Sequence, residues 1–328
     1  MSMCKIANPI VSIIVPVLNE EDTIADCLKS LLDQDYLKNN MEIIAVDNGS
    51  LDQSAAIIQK FPVQYIFEEK KGAGAARNAG AHQSRGELLA FIDADCIASK
   101  TWVSRLVASL EDGIHDAAGG DYLLRPEKSF LEEYLSFRNF YSQKEFFFGD
   151  YPFLPWLLTG NLVVRRNAFF KIGGFKESFL RGEDMDFSWL LIQSGAKLKY
   201  LPGHEVLQIQ PRTLWNFYSK LFKDGEIMAL LCHRYGQLCR KDQTGVRDCD
   251  LIEWFFSSLQ KLKSRTSQIF LERNGLGFLR KIVYLFFAVT GHLAFLSGKG
   301  VNYVRHGLLR TSRKASHSDS ILARRSSK

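Results

Sequence analysis

Phe91-Ile92-Asp93-Ala94-Asp95 closes an apolar run with two carboxylates flanking an alanine. In extended backbone, alternate side chains share a face, so Asp93 and Asp95 can address one ligand. Carboxylate oxygens suit hard divalent cations such as Mg²⁺ or Mn²⁺, which often take one or two oxygens from protein and leave the rest to phosphates and water. The same triplet also occurs in surface turns; its position behind a buried strand favours a metal–diphosphate site. Val46-Asp47-Asn48-Gly49-Ser50-Leu51-Asp52 has the composition of a turn, and Asp47 at its start could accept from a base or a ribose. Lys71-Gly72-Ala73-Gly74-Ala75-Ala76-Arg77-Asn78 leads into a helix. Such a start offers free N–H groups to an anion, and Arg77 could add charge-assisted bonds to phosphate or base. The same small residues would equally serve close packing. Gly182-Glu183-Asp184 puts acids at a helix start, where the macrodipole stabilises them. Asp184 there could also act as a general base towards a hydroxyl.

The elements that position these groups alternate along the first hundred residues. Strands are expected at Val11–Val17, Glu42–Asp47, Val63–Phe67 and Leu88–Asp93. Helices are expected at Asp22–Leu32, Ser54–Lys60 and Gly74–Ser84. Strands separated by helix-length segments imply right-handed crossovers and a parallel sheet, whose ligands bind beyond the C-terminal strand ends. Glu20, Asp47, Asp93 and Asp95 gather at that edge, and would repel one another unless a cation or hydrogen-bond donors sit among them. Further on, a helix is expected at Trp102–Leu110 and strands at Ala117–Asp121 and Leu162–Arg165. An amphipathic helix is expected over 212–235, with Leu214, Phe217, Tyr218, Leu221 and Phe222 on one face. The aromatic-rich segment 129–158 reads as core, or more sharply as an acceptor channel.

Composition is that of a globular protein: 328 residues, 46% hydrophobic and 24% charged. The six cysteines are scattered, which argues against a disulfide framework or zinc site and fits a reducing cytosol. No signal peptide is read at the N-terminus. The net charge is +6, but residues 299–328 carry eight Lys/Arg against Asp319 alone, so the rest of the chain is close to neutral. A basic tail beside the apolar run Ile282–Leu296 fits an anionic membrane surface better than nucleic acid, or else a solvated terminus. That run has 15 residues, short of the roughly 20 a spanning helix needs.

The ordered set Ser12-Ile13-Ile14-Val15-Pro16-Val17-Leu18-Asn19-Glu20, Val46 to Ser50, Gly72 to Asn78, Phe91 to Asp95, Gly160-Asn161 and Gly182-Glu183-Asp184 resembles the family-2 inverting glycosyltransferases. The resemblance covers about residues 10–230. It implies an α/β GT-A fold, a doubly wound, mostly parallel sheet with a helical C-terminal extension. It also implies metal-dependent transfer of one sugar from a nucleotide-sugar donor, UDP-linked by expectation, to an acceptor glycan or glycolipid. On that resemblance Pro16 and Glu20 line the nucleoside pocket, Asp47 bonds the base, and Arg77 contacts base or diphosphate. Asp93 holds ribose or metal, Asp95 is the main Mg²⁺ or Mn²⁺ ligand, Asn161 lies near the donor sugar, and Asp184 is the base with Glu183 beside it. The implied division is a donor half at 8–122, an acceptor half at 123–235, a helical, membrane-associated extension at 236–310 and a basic tail at 311–328. The expected location is cytoplasmic, at the inner face of the membrane through 282–328.

Three departures stand out. Leu51 replaces the usual Thr, a turn position. The His common near the diphosphate is matched by Gln208 or by His204. The Gln-x-x-Arg-Trp motif of processive synthases is missing after residue 186, which favours a single transfer. The competing classes are a sugar-1-phosphate nucleotidyltransferase and a non-catalytic nucleotide-sugar-binding protein. The first usually opens with a Gly-rich loop after its first strand, absent here; the second would be free to lose Asp95 or Asp184.

Overall fold

A computed structural model describes residues 10–124, 129–137, 142–148, 154–179, 181–208, 213–235 and 282–297. They fall into two compact units, within 1–210 and 211–328. The first is an α/β unit. In chain order it runs β1 (Val11–Val17), α1 (Ile24–Leu32), β2 (Met41–Asp47), α2 (Ser54–Ile58), β3 (Gln64–Phe67), α3 (Ala73–Gln83), β4 (Leu88–Phe91), β5 (Cys96–Ala98) and α4 (Trp102–Ser109). It continues through β6 (Ala117–Leu124), α5 (Phe130–Phe137), α6 (Gln143–Phe148), β7 (Leu162–Arg165), α7 (Arg166–Lys171), α8 (Glu183–Gln193) and β8 (Leu198–Gln208).

The strands form one sheet in the order β3-β2-β1-β4-β7-β6-β8-β5. It is mostly parallel: β1 to β4 pair in parallel, as do β6 and β8, while β7 and β5 run antiparallel to their neighbours. The sheet is covered on both faces, which is why β1 reads as an almost unbroken apolar run. Val11, Ile13, Val15 and Val17 point into a cluster with α1 and α4, through Leu28, Leu31 and Trp102. Ile14 points the other way, with Phe91, Phe169 and Phe187. In α1 the buried positions Ile24, Cys27, Leu28 and Leu31 keep helical spacing. The small residues of α3 serve packing: a methyl at Gly80 would lie 2.6 Å from Ile14 Cγ2.

The chain reverses its direction of travel across the sheet between β1 and β4, and open α/β sheets bind ligands in the gap between the C-terminal strand ends at such a reversal. The β1–β4 ladder ends at Ile14↔Phe91, two residues before Pro16. Pro16 therefore sits where β4 no longer needs a partner, and its missing N–H leaves no hole in the ladder.

In the second unit α9 (Leu214–Tyr235) buries Phe217 and Leu221 and exposes Leu214 and Trp215. A second helix covers 282–297 and touches α9 where Gly291 meets Phe217 and Leu221. Among the described residues no helix is long and apolar enough to cross a membrane. Of the aromatic segment, Tyr134 and Trp156 are buried while Phe130 and Phe148 are exposed. Its Phe140, Tyr141, Tyr151 and Phe153, like the tail 299–328, lie outside the described residues.

Candidate active site

Two loops at the C-terminal strand ends are stitched together. Asn19 stands in the left-handed region at φ 56°, where asparagine is tolerated. Its side chain accepts from Leu51 N at 2.8 Å, and its own N–H donates to Ser50 Oγ. Glu20 N–H donates to Ser54 Oγ. Asp47 Oδ1 accepts from Ser50 N at 2.9 Å, three residues on, which closes the loop after β2, and Oδ2 accepts from the Tyr65 hydroxyl. Asn48, which the sequence shows only as a turn residue, is buried and fully bonded. Its amide donates to Glu68 O and Lys70 O and accepts from Gly72 N. It ties the end of β2 to the start of α3, and Lys71 Nζ adds bonds to Asn48 O and Gly49 O.

Arg77 lies beneath this surface with its side chain 4% exposed. Its two terminal nitrogens bond Asp93 Oδ1 at 2.7 Å and Glu183 Oε1 at 2.8 Å. The Phe175 ring lies under the guanidinium, 5.5 Å away, and stacks on Phe187 with centroids 4.2 Å apart. Burial alone would lower the affinity of Arg77 for its proton, but the two carboxylates outweigh it and raise it further. Asp93 is thus paired with a cation from inside the protein, one it shares with Glu183.

Asp95 is not. It accepts from the Cys96 thiol at 3.4 Å, and the charges acting on it are those of Asp93 and Glu20, both acidic. Burial and then those two carboxylates push its carboxyl up to about 7. Burial likewise raises Glu20, opposed by its bond from Thr23, with Asp93 adding to the rise. Burial, with Asp95 and Asp93 behind it, holds the Cys96 thiol protonated, so it serves as a donor. Among the described residues no group of three or more His, Cys, Asp or Glu is gathered as a ready metal cage. A Mg²⁺ or Mn²⁺ site needs no such cage: one or two carboxylates suffice when a diphosphate supplies the rest. Asp95, an oxygen donor facing the acidic charges of Asp93 and Glu20, fits that role; Asp93, committed to Arg77 through Oδ1, would contribute through Oδ2.

Asp93 Oδ2 rests against Gly160. A methyl there would come within 2.7 Å of both Asp93 Oδ2 and the Tyr122 hydroxyl. Gly160 is held by its neighbour: Asn161 Oδ1 accepts from Trp102 Nε1 at 2.9 Å and Asn161 Nδ2 donates to Asp121 O at 2.9 Å. Asn161 is 1% exposed, so its amide frames the site from behind. Gly160→Ala should push the Asp93 carboxylate off Arg77, costing about 1–3 kcal/mol of stability and about tenfold or more in kcat/KM. A native unfolding midpoint together with native turnover would contradict this.

Gly182, at φ 69°, turns the chain into α8, and Asp184 Oδ1 accepts from Met185 N at 2.8 Å. Glu183 is anchored to Arg77, so the start of α8 is tied to the same cluster as Asp93. Gln208 lies opposite Cys96 in the β5–β8 ladder. His204 pairs with Asp121 through its backbone, and its side chain lies outside the described part.

A family model for glycosyl transferase family 2 matches residues 12–173. Glycosyltransferase AglE of Haloferax volcanii is 31% identical over 227 residues, covering 66% of this chain and 72% of that protein. The chain belongs to glycosyl transferase family 2. Within that family it is also similar to YdaM of Bacillus subtilis, described as a probable glycosyltransferase, at 26% identity over 218 residues; the match spans 52% of that protein. Among solved structures, mannosyltransferase PcManGT from Pyrobaculum calidifontis, in complex with GDP-Man and Mn²⁺, superposes with a TM-score of 0.61 at 14% identity. The match covers 90% of this chain and 88% of the other. TarS 1-349 of S. aureus, in complex with UDP-GlcNAc, gives 0.50 at 18% identity, covering 90% and 92%. These likenesses show the GT-A fold expected from the motifs.

Proposed function

We propose that this family-2 glycosyltransferase moves one sugar from a uridine-linked donor to an acceptor hydroxyl by direct, inverting displacement. The observation that carries this is the pair Asp93 and Asp95 just past the C-terminal end of β4, Asp93 bonded to Arg77 and Asp95 facing the acidic charges of Asp93 and Glu20. A Mg²⁺ or Mn²⁺ held by Asp95, with Asp93, would offset the charge that builds on the departing nucleoside diphosphate. Asp47, beside Pro16 and Glu20, would receive the base. Asp184 would take the proton of the attacking hydroxyl. A neighbour solved with UDP-GlcNAc supports a uridine donor, and one solved with GDP-Man supports guanosine. A panel of nucleotide sugars, assayed for release of nucleoside diphosphate with and without Mn²⁺, tests the proposal. Metal-independent release, or a product keeping the donor's anomeric configuration, would refute it.

The acceptor we propose is lipid-linked. The helix over 282–297 holds no charged residue and exposes Ile282, Phe286 and Leu293 along one stripe, and the sequence that follows is strongly basic. The full chain should sediment with vesicles rich in phosphatidylglycerol, less so at high salt, and Phe286→Glu should release it. Equal recovery in the supernatant with and without vesicles would count against membrane contact.

A further inference from the structure

We infer that Arg77 is a positioning residue, which sets the place of Asp184 through Glu183 and does not touch the donor. The inference rests on the glycosyl-transfer reading for the role of Asp184. Its support is the wiring of the guanidinium. Asp93 follows β4 and Glu183 opens α8, some ninety residues later, and Arg77 bonds both at 2.7 and 2.8 Å. Its side chain is 4% exposed and its Nε is buried with no hydrogen bond, so little of the group is left to meet a phosphate or a base. The planar fork explains the residue type: an ammonium is a point charge and could not span two carboxylates in fixed geometry. The helix that carries Arg77 is held close on its own account, since a methyl at Gly74 would meet Phe175 Cβ at 3.3 Å and Glu183 Cβ at 3.9 Å. Glu183 and Asp184 are consecutive, so anchoring one fixes where the other begins. Without Arg77, two recessed carboxylates would face each other unpaired, and the start of α8 would be driven away from Asp93.

The test uses the full chain with Mn²⁺ and the variants R77Q, R77K, E183Q and R77Q/E183Q. Turnover is read as nucleoside diphosphate release from the donor the native chain uses, and affinity as calorimetric binding of UDP and of GDP. R77Q and E183Q should each lose about 10²-fold in kcat with donor KM within about threefold, and the double variant should lose no more than the worse single. R77K should recover only part of the loss, and the ratio of UDP to GDP affinity should stay native. A tenfold rise in donor KM at native kcat, a changed affinity ratio, or losses that multiply in the double variant would each overturn the inference. Should R77Q fail to fold, E183Q decides alone, because Arg77 keeps Asp93 there: full kcat in E183Q would sink the idea. A native chain inactive on every donor would instead refute the transfer reading, leaving the UDP and GDP affinities to test whether Arg77 meets a nucleotide.

Discussion

Asp95→Asn should lower kcat/KM by about 10³-fold or more, equivalent to about 4 kcal/mol of lost transition-state stabilisation, while leaving the metal-free protein at least as stable as the native chain. The two effects have one cause. Asp95 is recessed and the charges acting on it are those of Asp93 and Glu20, so its own charge is a liability to the fold. An amide of the same shape removes that repulsion and can still accept from the Cys96 thiol 3.4 Å away. The same change removes a carboxylate at the crevice that faces the acidic charges of Asp93 and Glu20, so Mn²⁺ should no longer raise the unfolding midpoint or tighten UDP binding. Thermal unfolding with and without Mn²⁺, followed by calorimetry with UDP, separates these claims. A variant still stabilised by Mn²⁺ to the native extent would show that the cation is held elsewhere.

The first hundred residues of the fold were open to sequence reasoning because their central strands are buried on both faces and end at turn residues. β1 and β7 match their expected bounds, and β2 differs by one residue. The strand expected to run to Asp93 stops at Phe91, since Ile92 is the last residue with a bond back to β1. Strand direction was not legible. Leu162–Arg165 is as apolar as any parallel strand, and only the packing shows it runs antiparallel between β4 and β6. β8 was missed altogether, and Pro202 and Gly203 interrupt its strand pattern. They occupy a bulge: the β6–β8 register jumps from Gly120↔Leu201 to Asp121↔His204, so neither residue owes a ladder bond. Arg105 satisfies the Pro202 carbonyl at 2.8 Å, and Gly203 takes φ 115°. β5, three residues long, carries too little pattern to be seen.

For the site, residue types revealed the acids but not their partners. That Asp93 and Asp95 differ, one bonded to Arg77 and one facing the acidic charges of Asp93 and Glu20, depends on a guanidinium that comes from α3, sixteen residues earlier. Sequence reasoning set Arg77 toward base or diphosphate, because a cation after a Gly-rich helix start suits an anion; the structure puts two protein carboxylates on it. Asn161 was expected at the donor sugar, and its amide is bonded to Trp102 and to the Asp121 carbonyl. Asn48 and Gly160 stood in the motifs without a role, and Tyr122 was not singled out, because their importance lies in what they touch. An asparagine in a turn and a glycine before a strand are common, and only contacts across the fold distinguish these from others.

Asp184→Asn should lower kcat by about 10²–10⁴-fold, the range a general base supplies, while UDP binding with Mn²⁺ stays within about threefold of native. The separation follows from position. Asp184 opens α8, after Gly182 and next to a Glu183 held by Arg77, whereas Asp95, the proposed metal ligand, follows β4. A base acts on the acceptor, so the donor complex should form without it. The fold should survive as well, because an asparagine oxygen can accept from Met185 N as Asp184 Oδ1 does at 2.8 Å. Small anionic bases such as azide or formate, supplied at high concentration, should restore part of the loss in Asp184→Asn and none in Asp95→Asn. That contrast distinguishes a missing base from a missing ligand, and full turnover in the Asp184 variant would remove this residue from the proton path.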